Sequence, residues 1–378
     1  MKYSNSIIDA FFLLVRAGLF GRTEDMERIL SDGVDWPEVY QIAREQSMLG
    51  LVAEGIEVIQ GESHKGRGTQ LVPHKWTVKF GSSALRLEQF NLDMNKFIAR
   101  LFHKMRKQNC FPILLKGQGL AMNYEKPLRR SCGDIDILLT GDDYQKAKDI
   151  LLPYASFSEP ENVHKMHLAM KIDNFEVELH GTLRCGFSAR VDKELDKICR
   201  ETSQGGTAMV WKNGKVEVPL LGLEDNVFYV FSHILNHFYK SGIGIKQICD
   251  LCRLLWASSD SLNLTVLEAR LRGLRLMSEW RAFARYSVEY LGMPEQAMPF
   301  FSGEEKWGRK ARRIHSFILK TGNMGKNRKV NDSAPSYLRR KLKSSVQRTS
   351  DLANHLMIFP LDTLRFLPSI FLNGIRQK

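Results

Sequence analysis

The sequence predicts an α+β protein, with a small mixed β-sheet core between an N-terminal and a C-terminal helical region. Before residue 108 and after residue 221, apolar residues recur at spacings of three and four, which is the helical period. Between them, short apolar runs are separated by glycine-containing turns, which is typical of strands. We therefore divide the chain into a helical region at 1–108, an α/β core at 109–220, a helical domain at 221–300 and a basic helical tail at 301–378.

Length and composition are those of a globular protein with an excess of positive charge. The chain has 378 residues, enough for about two or three domains of roughly 150 residues each. Hydrophobic residues make up 43% and charged residues 26%, so a sizeable core can form. The formal net charge of +13 favours anionic partners such as nucleotides, nucleic acid or an anionic membrane surface, without choosing among them.

The cysteines and the apolar segments predict a reducing, cytoplasmic location. The six cysteines are too scattered for a disulfide framework at this length. Cys249 and Cys252 form a single CxxC in an apolar helical pattern, so we interpret them as core residues rather than a metal or redox site. The N-terminal apolar run is preceded by Asp9 and interrupted by Arg16, unlike a signal peptide. The sequence contains no run of about 18 apolar residues, so no transmembrane segment is predicted.

In the N-terminal region, residues 5–60 carry two helical patterns, IIDAFFLLVRAGL and WPEVYQIAREQSMLGLVAEGIEVI. The polar, glycine-containing stretch at 61–73 predicts a loop. An amphipathic helix is then expected from about Lys75 to Gln108.

The core region is predicted to alternate strands and helices. The pattern gives a strand ending in a glycine turn at 111–119, a short helix at 120–124, a basic loop at 125–133, a strand at 134–139 and a helix at 142–155. Asp142 is the expected N-cap of that helix. Residues 164–172 and 175–180 predict a hairpin around the Asp173-Asn174 turn.

The C-terminal part of the chain is predicted to be helical and then strongly basic. Helical patterns run through 223–241 and 245–257 and continue to about residue 295. From Lys306 to Arg348 there are fourteen basic residues and one acidic residue, which suits contact with nucleic acid, anionic lipid or an acidic acceptor, or plain solvation. The apolar tail, with Phe359, Leu364, Phe366 and Phe371, suits packing on the body or membrane-surface docking, and we favour packing.

Two aspartates stand in the predicted strand DIDILL. Residues two apart in a strand point to the same side, so Asp134 and Asp136 share a face while Ile135 and Ile137 face a core. Adjacent carboxylates repel and raise each other's pKa, and a divalent cation relieves that repulsion. Oxygen ligands suit Mg²⁺ or Mn²⁺, which bind through one or two carboxylates and substrate phosphates. The alternative is a solvated edge strand.

Groups suited to phosphate flank these aspartates. The turn at Lys116–Gly119 is rich in glycine, which lets backbone N–H groups approach an anion, and Lys116 adds a point charge. Arg129 and Arg130 are suited to clamping phosphates. An ordinary strand-to-helix turn is the alternative for this segment.

A third carboxylate is expected from the strand FEVELH. There Glu176, Glu178 and His180 alternate with apolar residues and share one face. Glu178, central in the strand, is the preferred third metal ligand, and Glu176 is the second choice. An exposed strand face is the alternative.

Further along the chain, His233 and His237 lie four residues apart on one helix face. They are interpreted either as two partly buried helix histidines or as part of a helix that borders the active cleft. In the second case His237, Lys246 and Asp250 would contact nucleotide or acceptor. Lys246 and Asp250 also have the spacing of an intrahelical ion pair.

The segments LLKGQGLAMNYEKPLRRSCGDIDILL and VELHGTL together resemble uncharacterised bacterial nucleotidyltransferase family proteins of the polymerase-β-like superfamily. The resemblance is clearest over Pro112–Leu183 and extends into HILNHFYKSGIGIKQICDL. It implies that Gly117 with its neighbours Gln118 and Gly119 holds the triphosphate. It also implies that Asp134 and Asp136 bind two metal ions with the nucleotide phosphates, and that Glu178 holds the metal that activates the acceptor hydroxyl and helps to take its proton.

Three features depart from the superfamily pattern. The turn has Gly-Gln-Gly in place of Gly-Gly or Gly-Ser, the gap to the aspartates is long, and the third acid is Glu where Asp is frequent. The leading hypothesis is a metal-dependent enzyme that moves a nucleoside monophosphate from an NTP to a hydroxyl or phosphate on a sugar, small molecule, RNA or protein, releasing pyrophosphate. The alternatives are a catalytically inactive nucleotide-binding protein on the same fold and a nucleic-acid-binding protein that acts through its basic tail.

Overall fold

The computed structural model describes residues 3–30, 33–66, 70–186, 188–206, 208–325 and 351–366. Seven strands form one mixed sheet in the order β3-β4-β5-β2-β1-β7-β6. Helical regions precede and follow the strands along the chain, which confirms the predicted α+β class. The strands are β1 (Ile113–Leu115), β2 (Asp134–Leu138), β3 (Ala155–Ser158), β4 (His167–Ile172), β5 (Phe175–His180), β6 (Ala208–Asn213) and β7 (Val216–Leu221).

Thirteen α-helices of the described part of the chain are numbered in chain order. They are α1 (Asn5–Phe20), α2 (Met26–Leu30), α3 (Trp36–Glu45), α4 (Leu49–Gly66), α5 (His74–Arg106), α6 (Gly117–Ala121), α7 (Asp143–Leu151), α8 (Ala189–Ser203), α9 (Leu223–Lys240), α10 (Ile245–Ala257), α11 (Leu264–Gly273), α12 (Met277–Leu291) and α13 (Glu305–Thr321). Residues 351–358 and 360–366 are also helical.

Helix α1 is central to the helical part of the protein. It packs against α4 and also against α12, so N-terminal and C-terminal helices share one apolar core. The crossing with α4 is close because glycines face each other there. A Cβ atom on Gly55 would lie 2.0 Å from the carbonyl oxygen of Leu14, and one on Gly18 would lie 2.4 Å from that of Leu51.

The sheet has two chemically different faces. On one face, Ile135, Ile137 and Val177 are fully buried against α5 and α7, as the alternation in the sequence predicts. The other face carries Asp134 and Asp136, and Tyr229 of α9 lies near Lys116 and Asp136 on that side. The apolar core between α5, α7 and the sheet thus fixes the strands whose opposite face carries the acidic residues.

Several predicted boundaries differ from the structure. Helix α4 continues to Gly66, into the stretch predicted as a loop, and α6 begins at Gly117, earlier than predicted. Asp142 makes no side-chain capping hydrogen bond. Its neighbour Asp143 instead accepts a hydrogen bond at 2.9 Å from the Phe111 backbone N–H, so it ties α7 to the start of β1. The hairpin around Asp173-Asn174 is confirmed.

Three strands were not predicted from the sequence. β6 and β7 form a hairpin in which Asn213 pairs with Val216, and Gly214 has φ +62°. The dipeptide Asn213-Gly214 between alternating residues is the usual signal for such a turn. β3 is an edge strand with exposed residues, so its sequence lacks an apolar pattern.

The C-terminal tail packs on the helical core where the structure describes it. Phe359 and Phe366 are each 1% exposed and contact Tyr239 of α9, which confirms packing for this part of the tail. Residues 326–350, with most of the predicted basic segment, and Phe371 lie outside the described residues. Cys249 and Cys252 are buried free thiols, as predicted. In the described part of the chain, no helix is both long enough and apolar enough to cross a membrane.

Candidate active site

The register of strands β2 and β5 creates an acidic cluster. The two strands are parallel, and Asp136 lies opposite Glu178 while Asp134 lies opposite Glu176. Ligand oxygens of Asp134, Asp136 and Glu178 all lie within 4.8 Å of one another. Glu176, the second choice for the third ligand, is exposed and is not part of this cluster.

The turn after β1 lies beside the two aspartates. Strand β1 runs antiparallel to β2 with Leu115 opposite Asp136, so the chain leaves β1 next to the acidic cluster. Lys116 and Gly117 both have positive φ, at +46° and +44°. Such a conformation is strained for a lysine, and strain of this kind concentrates at functional sites. The turn directs the Lys116 ammonium to 3.0 Å from Asp136 Oδ1.

Asp136 is a buried, ionised carboxylate that Lys116 and His180 both contact. It is 1% exposed, and His180 Nε2 donates to the same Oδ1 atom at 2.9 Å. Burial raises the pKa of Asp136, but the charge of Lys116 and the hydrogen bond from His180 outweigh it, and the pKa is lowered. Both contacts are to Oδ1, so neither uses the second oxygen.

Asp134 differs from Asp136 in its surroundings. No hydrogen bond or ion pair reaches its carboxylate from the residues that the structure describes. Burial and then the charge of Asp136 raise the pKa of Asp134, with Lys116 acting in the opposite direction. The carboxylate is thus repelled by its neighbour and lacks a compensating partner among those residues.

Glu178 is contacted by two histidines. His167 Nε2 lies 3.2 Å and His180 Nε2 3.5 Å from the same oxygen, Oε2. These contacts to His167 and His180 lower the pKa of Glu178 against the effect of burial. His180 therefore lies between Asp136 and Glu178 and contacts both.

Helix α9 covers the site with a row of aromatic side chains. Tyr229, His233 and His237 are one turn apart on the same face, and the rings of His233 and His237 are joined by an Nε2–Nε2 hydrogen bond of 2.9 Å. Burial, and then the charge of Lys116, lowers the pKa of His237 to about 4 and that of His233 well below its usual value. Both histidines are partly buried, as one interpretation predicts, and both are neutral at pH 7.

Lys246 and Asp250, on α10, do not form the intrahelical pair that their spacing allows. Lys246 Nζ donates to the Ser131 carbonyl at 3.1 Å, and burial lowers its pKa. Asp250 instead accepts from Tyr124 Oη at 2.8 Å and from Arg130 at 2.7 and 2.9 Å. The lysine thus holds the segment that leads into β2.

Both predicted phosphate-binding arginines are engaged with carboxylates. Arg130 is 7% exposed and forms the bidentate pair with Asp250. Arg129 pairs with Glu57 at 2.7 Å and with Glu88 at 2.6 Å. The structure does not bring either guanidinium to the acidic cluster. They anchor the loop before β2 to α4, α5 and α10.

The remaining turn residues have packing contacts. Gln118 is 2% exposed, and its Nε2 donates to Asn91 Oδ1 at 2.9 Å, toward α5 rather than toward the cluster. Gly119 allows a close approach to β7, because a Cβ atom there would lie 2.8 Å from Leu220 Cδ2. Of the predicted turn, Lys116 and Gly117 are the residues beside the aspartates.

Sequence reasoning did not assign His167, His180 or Tyr229 to the site. His180 could have been found from the sequence, since it shares a strand face with Glu178 two residues away. His167 reaches the site because it pairs opposite His180 in the β4–β5 hairpin. Tyr229 has no local signal, because its position depends on how α9 packs over the sheet.

The three carboxylates fit a divalent metal ion. They offer hard oxygen donors within 4.8 Å of one another, and the raised pKa of Asp134 reflects a repulsion that a cation relieves. Lys116 neutralises part of the charge but contacts only Asp136 among the three. The donor set is of the kind that Mg²⁺ and Mn²⁺ prefer.

One comparison with known proteins bears on this site. A family model described as "Uncharacterised nucleotidyltransferase" matches residues 32–292, more than half of the chain. The chain belongs to this family. The matched span contains the acidic cluster, the Lys116 turn and helix α9, and membership in the family supports a transferase activity. No curated protein and no solved structure matches the chain.

Proposed function

We propose that the protein is a metal-dependent nucleotidyltransferase that moves a nucleoside monophosphate from an NTP to a hydroxyl or phosphate acceptor and releases pyrophosphate. The observation that carries the proposal is the convergence of Asp134, Asp136 and Glu178 within 4.8 Å of one another, in a chain of the nucleotidyltransferase family. The proposal also takes the reaction to be that of the polymerase-β-like superfamily, which the sequence motifs resemble.

Asp134, Asp136 and Glu178 are the residues that would hold Mg²⁺ or Mn²⁺. When bound, such ions supply charge neutralisation and polarisation at the reacting phosphate. The protein contributes a rigid donor set, because the three side chains come from two hydrogen-bonded strands fixed by a core on their opposite face. Preorganised charge of this kind is a large part of phosphoryl-transfer catalysis.

We assign Lys116 and the Gly117 turn to the triphosphate. The Lys116 ammonium lies 3.0 Å from Asp136, so a phosphate held at the acidic cluster lies within its reach. Lys246 on α10 lies close enough to Asp134 to oppose the rise in its pKa, and burial and then the charge of Lys116 lower the pKa values of His233 and His237 on α9. This proximity supports contact of the three side chains with nucleotide or acceptor. Arg129 and Arg130 are left out of the proposed nucleotide site, since their guanidinium groups already bind carboxylates.

A reducing, cytoplasmic setting is part of the proposal, since all six cysteines are free thiols. Contact with an anionic surface through the C-terminal region is also proposed. Its support is a cavity between α13 and residues 354–358 that is lined by Arg309, Arg312, Arg313 and Lys320. Salt-sensitive binding to anionic but not to neutral vesicles is the expected result.

The enzyme proposal is tested by label transfer. Each α-labelled NTP is incubated with the full chain, Mg²⁺ or Mn²⁺ and a cell extract as a source of acceptors, and both label transfer and pyrophosphate release are measured. Asp134→Asn is expected to lower the rate by about 10²–10³-fold or more. Glu176→Gln, one strand away and outside the acidic cluster, is the matched control and is expected to keep the rate.

Three results would count against the enzyme proposal. Equal transfer by wild type and Asp134→Asn would show that the activity does not come from this site. Nucleotide binding that depends on Asp134 without any transfer would favour the inactive, nucleotide-binding alternative. RNA or DNA binding that is sensitive to salt and unaffected by Asp134→Asn would favour the nucleic-acid-binding alternative.

A further inference from the structure

A second set of metal-capable side chains adjoins the acidic cluster. It consists of His167, Glu178 and His180, whose ligand atoms also lie within 4.8 Å of one another. His167 on β4 pairs directly opposite His180 on β5, and Glu178 is two residues from His180 on the same face. The sheet therefore brings two imidazoles and one carboxylate together. The proposed nucleotidyl transfer uses neither histidine.

Two distances within this set also match the spacing of ligands around a metal ion. Glu178 Oε2 lies 3.2 Å from His167 Nε2 and 3.5 Å from His180 Nε2. Hydrogen bonds between an imidazolium and a carboxylate are normally shorter, about 2.7–2.9 Å. Ligands about 2.0–2.1 Å from a tetrahedral zinc ion are separated from one another by about 3.3 Å. Both measured separations are close to that value.

The set is reachable from solvent and is oriented by its neighbours. The side chains of His167 and Glu178 are 30% and 29% exposed, which leaves space for a water as a further ligand. His180 is 17% exposed, and its Nε2 is also hydrogen-bonded to Asp136. A metal ion bound to that nitrogen would displace its proton to solvent, and the hydrogen bond to Asp136 would be lost. Asp136 would keep its ion pair with Lys116.

The donor atoms of the two sets favour different ions. Asp134, Asp136 and Glu178 offer oxygen alone, which suits Mg²⁺ and Mn²⁺. His167, His180 and Glu178 offer two nitrogens and one oxygen, a combination that suits zinc and its neighbours in the first transition row. Glu178 is the single residue common to both sets.

We propose that His167, Glu178 and His180 form a separate site for a transition-metal ion, with Zn²⁺ the best match to the donor set and spacing. The inference goes beyond the proposed reaction and shares with it only the position of Glu178. It predicts that the protein carries two neighbouring ions of different chemical type, bridged by one carboxylate.

The test uses Co²⁺ as a visible probe on the full chain after removal of metals with a chelator and in the absence of nucleotide. Wild-type protein is expected to bind one equivalent of Co²⁺ with visible absorption, to keep it in excess Mg²⁺ and to release it to Zn²⁺. His167→Asn is expected to weaken Co²⁺ binding by more than the ~10–100-fold that loss of an outer partner causes. Asp134→Asn, which removes a ligand of the oxygen set alone, is the matched control and is expected to keep the absorption.

Either of two results overturns the inference: displacement of Co²⁺ by Mg²⁺, or unchanged Co²⁺ binding in a folded His167→Asn protein. A thermal melt establishes that the variant is folded. X-ray absorption of the Zn²⁺-loaded wild type provides a measurement that needs no variant, and fewer than two imidazole ligands there would equally overturn it. Because no turnover is measured, a failure of the proposed transfer reaction leaves these outcomes unaffected.

Discussion

Asp136 lies directly opposite Glu178 in the register of the parallel strands β2 and β5. Neighbouring strands are about 4.8 Å apart, so this register holds the two carboxylates together whatever their mutual repulsion. Lys116 and His180 contact Asp136 and offset part of the charge of the pair, and His167 contacts Glu178. Asp134, at the next position on the same face, is left without such a partner among the described residues. The arrangement is suited to receive a cation together with phosphate.

The ion pair between Arg130 and Asp250 is expected to stabilise the fold that holds the site. Both side chains are buried, at 6% and 4% exposed, and lie 2.7 Å apart. Arg130→Ala leaves Asp250 as a buried, unpaired charge and is expected to lower the free energy of unfolding by about 3–5 kcal/mol. Urea unfolding monitored by circular dichroism measures the change.

The matched control is Arg184→Ala, which removes a more exposed pair with Asp196 and is expected to change stability by about 1 kcal/mol or less. The double variant Arg130→Met/Asp250→Leu removes both charges and is expected to be more stable than Arg130→Ala. A loss equal to that of the control would show that Arg130 is not a structural residue.

The Gly117 turn is expected to be sensitive to any side chain. Its φ of +44° is unfavourable for residues with a Cβ atom, so Gly117→Ala is expected to lower stability by about 1–2 kcal/mol. A shift of the turn also moves Lys116, and a displacement of about 1 Å is enough to reduce a rate by about 10²-fold. Thermal melts and pyrophosphate release measure the two effects.

Gly133 is the control for this turn, since it directly precedes Asp134 and lacks a positive φ. A Cβ atom on Gly133 would meet no described atom within 4 Å. Gly133→Ala is therefore expected to leave stability and rate close to wild type. Equal rates in the two alanine variants would argue against a role for the Gly117 turn.

The contact between α1 and α4 is expected to depend on Gly55. A Cβ atom there would lie 2.0 Å from the Leu14 carbonyl oxygen, so the helices must move apart. Gly55→Ala is expected to destabilise the protein by about 1–3 kcal/mol in chemical unfolding. In the same helix, a Cβ atom on Gly61 would have no described atom within 4 Å, and Gly61→Ala is expected to stabilise by about 0.5–1 kcal/mol. If Gly55→Ala and Gly61→Ala changed the free energy of unfolding in the same direction, the close packing at Gly55 would be contradicted.

Glu54 is expected to make stability depend on pH. It is 6% exposed, and burial raises its pKa from 4.5 to about 7, although Lys126 and Arg129 act in the opposite direction. The folded state therefore binds the proton more tightly than the unfolded state, and stability falls as pH rises from about 4.5 through 7. Glu54→Gln is expected to remove this loss of stability. Above pH 7 its free energy of unfolding is expected to exceed that of wild type by on the order of 3 kcal/mol.

Glu57→Gln, one turn away on α4, is the control, because the pKa of Glu57 is shifted in the opposite direction to that of Glu54. Its pKa is raised by burial, but the contacts with Lys126 and Arg129 outweigh burial and lower it. Glu57 thus contributes stability at neutral pH that is lost as the pH falls through its folded-state pKa. Chemical unfolding at a series of pH values distinguishes the two, and parallel profiles for wild type and Glu54→Gln would contradict the prediction.

The sequence by itself determined which residues share a face and where most elements lie. The period of two in DIDILL places Asp134 and Asp136 together, with Ile135 in the core, because side-chain alternation is a property of the strand alone. The helical periods before and after the core likewise gave the α+β class, since amphipathic patterns are local. The hairpin around Asp173-Asn174 follows from turn chemistry between two alternating runs.

Only the tertiary structure decided which of the charged groups meet. Arg130 was predicted to bind phosphate, but its partner Asp250 lies 120 residues away, and no local pattern encodes that pairing. His167 reaches His180 and Glu178 through the strand pairing of β4 and β5, and α9 brings Tyr229 to the site by packing. Local sequence sets the direction of each side chain, whereas strand register and helix packing depend on contacts between distant segments. For that reason the acidic pair, the adjoining Lys116 turn and the place of His180 beside Glu178 follow from the sequence, whereas the contacts of His167, Arg130 and Tyr229 do not.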